Sequence, residues 1–204
     1  DTYVYATSAE FVTGTAVVDA ITDSGGTDKA VITGAISITG SQALARAEGV
    51  DEIEAAGEAD GGTKADHSIV IDNETERNDV VSIDLAASLD TDSTGTVTLT
   101  GVTTAVTVVG VAAGVNTIIG GSGADTITGG SAASDFTGAA GVDVITGGAG
   151  ADIYRYATSA EFVTGTAVVD SITGSGGADK AVITGAISIT GSQALARAEG
   201  VVEI

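Results

Sequence analysis

From Val111 the chain divides into five nonads that stay in phase: VAAGVNTII (111–119), GGSGADTIT (120–128), GGSAASDFT (129–137), GAAGVDVIT (138–146) and GGAGADIYR (147–155). The eighth position is always large and apolar, at Ile118, Ile127, Phe136, Ile145 and Tyr154. The sixth is Asn116, Asp125, Ser134, Asp143 and Asp152, and a glycine pair opens three of the five nonads. Glycine allows a tight loop with positive φ, in which carbonyls turn inward toward an ion. Aspartate adds a hard anionic oxygen, and calcium takes six to eight such oxygens. The other reading of the same residues is a run of Gly-Asp turns in an ordinary β-hairpin array.

The pattern resembles the RTX nonapeptide GGxGxDxUx, the calcium-binding β-roll repeat of proteins exported by type I secretion. Residues 120–128 match every fixed position, and 147–155 match with Tyr154 as the large residue. The resemblance implies an all-β fold, a parallel β-roll or β-solenoid with two nonads per turn. It also implies Ca2+ as cofactor, held between loops 18 residues apart. Asp125 and Asp143 then share one ion, with Gly121, Gly123 and Gly141 shaping the loops. The opposite side holds Asn116, Ser134 and Asp152, with Gly148 and Gly150. This side is weaker, because Ser134 replaces an aspartate and Asp135 is displaced by one position.

A second, longer period encloses the first. Residues 1–53 recur at 152–204, identical except at Thr2/Ile153, Val4/Arg155, Ala20/Ser171, Asp23/Gly174, Thr27/Ala178 and Asp51/Val202. The tandem unit is therefore about 151 residues, and Asp1 falls on the last aspartate of a nonad block, so a longer array is expected. A simple two-copy duplication is the alternative. Because 151 is not a multiple of nine, short calcium rolls separated by other β structure are expected.

Four segments follow: 1–53, the end of one unit; 54–110, a β-rich region leading into the roll; 111–155, the calcium roll; and 156–204, the second copy of the post-roll segment. The segment TAVVDAITDSGGTDKAVITG (15–34), repeated at 166–185, resembles the region that closes the roll in RTX proteins. That makes Asp19, Asp28, Asp170 and Asp179 further candidate ligands. Solvated acidic turns are the competing reading, and Asp23, replaced by Gly174, is not essential in both copies.

Among the remaining stretches, VITGAISITG (31–40) reads as a strand pair around a glycine turn. SQALARAEG (41–49) reads as a short helix capped by Ser41 and ended by Gly49. Residues 54–67 read as an acidic, glycine-rich loop that contains His67. Ser68–Asp72, Val80–Asp84 and Thr96–Gly110 read as strands. NETERND (73–79) reads as a polar turn with Arg77 among carboxylates, and Asp90-Thr91-Asp92 with Gly95 as a turn or a weak cation loop.

Composition narrows the function. The chain has 28 acidic and 7 basic residues, a net charge of −21, no Cys and one His. Thiolate chemistry and cysteine or multi-histidine metal sites are excluded. A nucleic-acid surface does not fit a chain that phosphate repels. No apolar run is long enough for a membrane-spanning helix, so membrane insertion is not expected. The zinc-protease motif of some RTX proteins is absent and His67 has no nucleophile beside it, so an enzyme is not expected.

The expected function is a calcium-dependent structural segment of a large secreted bacterial surface protein, resembling S-layer proteins and giant RTX adhesins. Its expected partners are further copies of itself, in a lattice, sheath or filament, and cell-surface polysaccharide. Its expected location is extracellular or on the cell surface, by type I secretion. The alternative is a rigid extender or ligand-binding region of a giant adhesin.

Overall fold

A computed structural model describes residues 1–7, 12–13, 16–17, 25–39, 49–56, 66–72, 80–158, 161, 163–164, 167–168, 170–186, 198–199 and 201–203. Its strands are β1 (Thr2–Tyr5), β2 (Val12–Thr13), β3 (Ala16–Val17), β4 (Lys29–Ile32), β5 (Ser37–Ile38), β6 (Glu52–Ala55), β7 (Asp66–Val70), β8 (Ser82–Asp84), β9 (Thr94–Thr98), β10 (Thr107–Val109) and β11 (Val115–Ile119). They continue as β12 (Thr126–Thr128), β13 (Asp135–Thr137), β14 (Val144–Gly148), β15 (Ile153–Tyr156), β16 (Val163–Thr164), β17 (Ala167–Val168), β18 (Ser171–Gly174), β19 (Asp179–Ile183), β20 (Ala198–Glu199) and β21 (Val201–Glu203).

Two large sheets contain all but four of these strands. One has nine strands in the order β1-β4-β6-β8-β10-β12-β14-β18-β20, and the other eight in the order β5-β7-β9-β11-β13-β15-β19-β21. All pairs within them are parallel. From β4 to β15 successive strands alternate between the sheets, which makes a two-sheet β-solenoid. The pairs β2–β3 and β16–β17 are small antiparallel additions.

Alternation of side chains along each strand sends one set into the space between the sheets. Thr94–Thr98, for example, buries Gly95 and Val97 and turns its three threonines outward. The apolar core runs continuously from Tyr5, Ile32, Ile53 and Ile69 through Ile83, Val97 and Ile118 to Phe136, Tyr154 and Ile172.

The nonad period stops, but the sheets do not. Segments expected as separate β structure between the rolls enter the same two sheets in the same register. β6 and β15 straddle positions 53/54 and 155/156. Only the turn length varies. Aligned positions are 18 residues apart between Asp125 and Asp143, 25 between Val81 and Val106, and 27 between Asp143 and Asp170.

Three local expectations are corrected. The strands of 31–40 lie in opposite sheets and do not pair with each other, because the glycine turn is a solenoid corner and not a hairpin. Thr96–Gly110 is two strands, β9 and β10, separated by the corner 99–106. Glu54, Ala55, Asp66 and His67 belong to strands, not to a loop. His67 is buried in β7, where β-sheet alternation turns it inward. Asp90 forms a turn, its Oδ1 accepting the Asp92 amide at 2.9 Å. The helix expected at 41–49 falls, apart from Gly49, outside the described residues, as do Asp19, Asp23 and Arg77.

The long repeat has a topological consequence. β1 and β4 of the first copy pair in the nine-stranded sheet, with Thr2 opposite Lys29. Their counterparts β15 and β19 pair in the eight-stranded sheet, with Ile153 opposite Lys180. One unit therefore carries the same sequence to the opposite sheet, an odd number of half-turns later.

Candidate metal centre

Each turn enters its strand through one residue, and these residues stack into two rows. Row one, leading into the nine-stranded sheet, is Asp28, Asp51, Val81, Val106, Asp125, Asp143 and Asp170. Row two, leading into the eight-stranded sheet, is Ile36, His67, Gly95, Asn116, Ser134, Asp152 and Asp179.

One hydrogen-bond pattern recurs along both rows. At eight steps the amide of one row residue donates to the side chain of the next. In row one Val106 N–H donates to Asp125 Oδ1 at 2.9 Å, Asp125 N–H to Asp143 Oδ1 at 2.8 Å, and Asp143 N–H to Asp170 Oδ1 at 3.0 Å. In row two Asn116 N–H donates to Ser134 Oγ at 3.1 Å, Ser134 N–H to Asp152 Oδ1 at 2.8 Å, and Asp152 N–H to Asp179 Oδ1 at 2.8 Å. Ile36 N–H donates to His67 Nδ1 at 3.3 Å in the same manner.

The structure thus brings together Asp125, Asp143 and Asp170 on one side, and Ser134, Asp152 and Asp179 on the other. All six are buried. Asp170 and Asp179 do not form a separate post-roll site, because each continues a nonad row. The sequence held a signal for this: Asp143 to Asp170 and Asp152 to Asp179 are both 27 residues, three nonads. Asp28 lies at the far end of row one. Its amide donates to Asp51 Oδ2 at 2.7 Å.

Asn116 is buried in row two. Its Oδ1 accepts the Val111 amide at 2.8 Å and its Nδ2 donates to Val111 O at 3.0 Å, so its own amide closes the loop.

The glycines show why the nonad needs them. Gly120 Cα lies so close to Asp125 that a Cβ there would sit 2.7 Å from Oδ2. At Gly138, Gly147 and Gly174 a Cβ would collide with Oδ2 of Asp143, Asp152 and Asp179 in turn. Gly121 N–H donates to Asp125 Oδ2 at 2.8 Å. The loops also stack on one another: Gly141 faces Gly123 O, Gly148 faces Gly130 O, and Gly123 and Gly150 lie against Thr104 and Ala132 of the preceding loops. Gly141 at φ 135° and Gly148 at φ 109° adopt a backbone that side chains oppose.

These carboxylates are held in surroundings that disfavour their charge. Burial pushes Asp143 up to about 7 against the pull of the Asp125 amide, with the charges of Asp170 and Asp125 adding. Burial pushes Asp152 up to about 6 against the Ser134 amide, with Asp179 adding. Asp125 is also raised by burial, opposed by the amides of Val106 and Gly121. Oδ2 of Asp143, Asp152 and Asp179 is enclosed without a hydrogen-bond partner. A buried anionic oxygen of this kind is costly unless a cation or donor meets it.

The donor set fits calcium. Among the described residues no three carboxylate or imidazole side chains converge. A cation here would therefore take one or two carboxylates from adjacent turns and complete its shell with loop carbonyls, a hard all-oxygen set. Its charge would cancel that of the buried aspartates.

Residues 112–133 and 134–156 match the family model of the RTX calcium-binding nonapeptide repeat (4 copies). No curated protein and no solved structure matches the chain. Sequence period, loop stacking and orphaned carboxylate oxygens agree with that match: residues 112–156 are RTX calcium-binding nonapeptide repeats, and they form turns of a longer β-solenoid.

Proposed function

We propose that the chain is a calcium-dependent structural segment of a secreted surface protein, and that its units assemble side by side into a lattice, sheath or filament. The observation that carries the assembly is the half-turn phase of the long repeat. Lys29 and Val31 of the first copy face outward from the nine-stranded sheet, and their counterparts Lys180 and Val182 lie in the eight-stranded one. An array of such units offers the same surface on both faces. A contact made on one face then recurs on the other, so association extends instead of ending at a dimer. RTX repeat proteins are generally exported by type I secretion and are structural more often than catalytic, which accords with this reading.

Within the segment, Asp125, Asp143 and Asp170 hold calcium on one side and Asp152 and Asp179 on the other, with Gly121, Gly123, Gly141, Gly148 and Gly150 leaving room for it. Asp28 is a further ligand, paired with Asp51. Binding that requires the folded loops adds its free energy to folding. The second reading, a rigid extender of an adhesin, is supported by the unbroken parallel sheets from β1 to β21, which make a stiff rod. Cell-surface polysaccharide is the partner that would anchor either.

Calcium titration of the chain, followed by circular dichroism and light scattering, tests both readings. Growth of β signal together with particle size supports assembly. Growth of β signal in a chain that stays monomeric supports the extender. Full β signal in excess chelator overturns the calcium dependence.

A further inference from the structure

The step from Val106 to Asp125 joins the apolar turns to the nonads. Val106 is 2% exposed and lies in the core with Val97, Leu99, Val102 and Val108. Its N–H donates to Asp125 Oδ1 at 2.9 Å, and its carbonyl accepts the Thr126 N–H at 3.0 Å. One residue thus grips the aspartate by its side chain and the following residue by its backbone. Gly121 N–H, from the loop itself, donates to the other oxygen, Oδ2, at 2.8 Å.

The same two-point grip repeats in one direction. Asp125 N–H donates to Asp143 Oδ1 at 2.8 Å, and Asp125 O accepts the Val144 N–H at 2.9 Å. Asp143 N–H donates to Asp170 Oδ1 at 3.0 Å, and Asp143 O accepts the Ser171 N–H at 2.7 Å. In each case the gripping backbone belongs to the earlier turn and the carboxylate to the later one. A hydrogen bond is mutual, so its polarity alone sets no order. The order comes from which partner is already fixed. Val106 is held by apolar burial, which needs no ion. Asp125, Asp143 and Asp170 are buried carboxylates whose charge a cation would offset.

We propose that row one takes up its ions in chain order, beginning at the Val106–Asp125 step, with the turns of β8 to β10 as a preformed template. The proposal rests on the calcium reading of row one and adds an order of events to it. With Val106 in place, the Asp125 carboxylate is oriented before an ion arrives. Once the Asp125 turn is closed, its own backbone orients Asp143, and that of Asp143 orients Asp170. A site whose competent form is seldom populated binds more weakly by that fraction, so each later site gains affinity when the one before it is filled. Row two starts differently. Asn116 Oδ1 takes the Val111 amide of its own loop, the next side chain is Ser134, and the first carboxylate of the nonads, Asp152, lies beyond Asp143 in the chain. Row two therefore follows row one.

Peptide-level hydrogen exchange on the full chain, read across a calcium titration, tests this. In chelator β10 should already be protected. The calcium midpoint for protection should be lowest at β12, higher at β14 and highest at β18, with β15 above β12. Asp125→Asn keeps an Oδ1 acceptor and removes the charge. It should raise the midpoints of β12, β14 and β18 together, by roughly tenfold for the loss of one charged contact. Asp170→Asn should raise that of β18 alone.

The order of the midpoints is read on the wild-type chain, without any variant. Equal midpoints, the reverse order, an unprotected β10 in chelator, or a β12 midpoint raised by Asp170→Asn overturns the template and leaves the calcium reading standing. A wild-type chain whose protection is the same in calcium and in chelator overturns both.

Discussion

Between β7 and β10 the solenoid fills its corners with apolar or neutral residues, and between β12 and β19 mostly with carboxylates. In the first region the row residues are His67, Val81, Gly95 and Val106. The strands and corners there bury pairs such as Ile69 with Ile71, Ile83 with Leu85, and Val97 with Leu99. β11 to β14 each bury one large side chain, Ile118, Ile127, Phe136 and Ile145, β15 buries Tyr154 and Tyr156, and the rows of the second region carry Asp125, Asp143, Asp152, Asp170 and Asp179. Strand register is continuous across the change. A solenoid turn therefore tolerates either filling, provided something occupies the corner. The first region obtains its stability from apolar burial. The second has a thinner core and buried aspartates whose charge a cation would offset.

The largest expected effect is chelation. In excess chelator, amides of β11–β15 should exchange hydrogen at rates approaching those of an unfolded chain. Those of β7, β8 and β9 should stay protected, since local stability follows local burial. Hydrogen exchange with peptide-level readout checks this. Equal loss in both regions would show that the turns melt as one unit and that the contrast is not energetic.

Next in size are core truncations. Phe136→Ala removes the single large side chain of its strand and the stack on Tyr154, and should cost ~3–5 kcal/mol in calcium. Ile83→Val in the apolar region leaves Leu85 and its neighbours in place and should cost ~0.5–1.5 kcal/mol. Thermal denaturation in saturating calcium measures both. A small loss for Phe136→Ala would mean that the ion, not the core, carries the nonad turns.

Acid should move the two regions in opposite directions when calcium is absent. Asp143 and Asp152 have folded values near 7 and 6, above those of an unfolded chain. Their contribution is fully present below about pH 4 and is lost as pH rises through 6 to 7. Metal-free nonad turns should therefore be more stable at pH 5 than at pH 8. His67 is held low by burial, and its Nδ1 must stay unprotonated to accept the Ile36 amide. Its contribution is present above about 6.5 and is lost as pH falls below it. Region-resolved exchange at the two pH values reads both slopes, and His67→Asn should flatten the second. Parallel slopes would refute the assignment of these groups.

The solenoid was legible at 111–155, where period, glycine and large apolar residue all repeat at nine. It was obscure before Val111 because a variable corner breaks the period while the strands keep their register. Only one or two apolar residues per strand mark the turns there, as in Ile53 and Ala55 or Val106 and Val108. The Asp125–Asp143 pair could be read from its 18-residue spacing. The pairing of Asp143 with Asp170 could not be fixed in the same way, because the extra nine residues carry no motif. His67 was misplaced by one residue, just before the strand read at Ser68–Asp72, and its burial depends on β5 and β9, which flank β7 in the sheet.

The smallest expected effect tests how far the nonad sequence has been optimised. Ala139 occupies the second position of its nonad, where 120–128, 129–137 and 147–155 have glycine, and it adopts φ 69°. A left-handed backbone costs an alanine roughly 1 kcal/mol relative to a residue without Cβ. Ala139→Gly should therefore stabilise the calcium-bound chain by up to ~1 kcal/mol, less the added flexibility of the unfolded state. The gain should appear in the thermal midpoint in calcium and should be absent in chelator, where the nonad turns no longer hold that backbone. An equal gain in both conditions would mean that residue 139 keeps its left-handed turn without the ion, and that this corner is closed by its backbone alone.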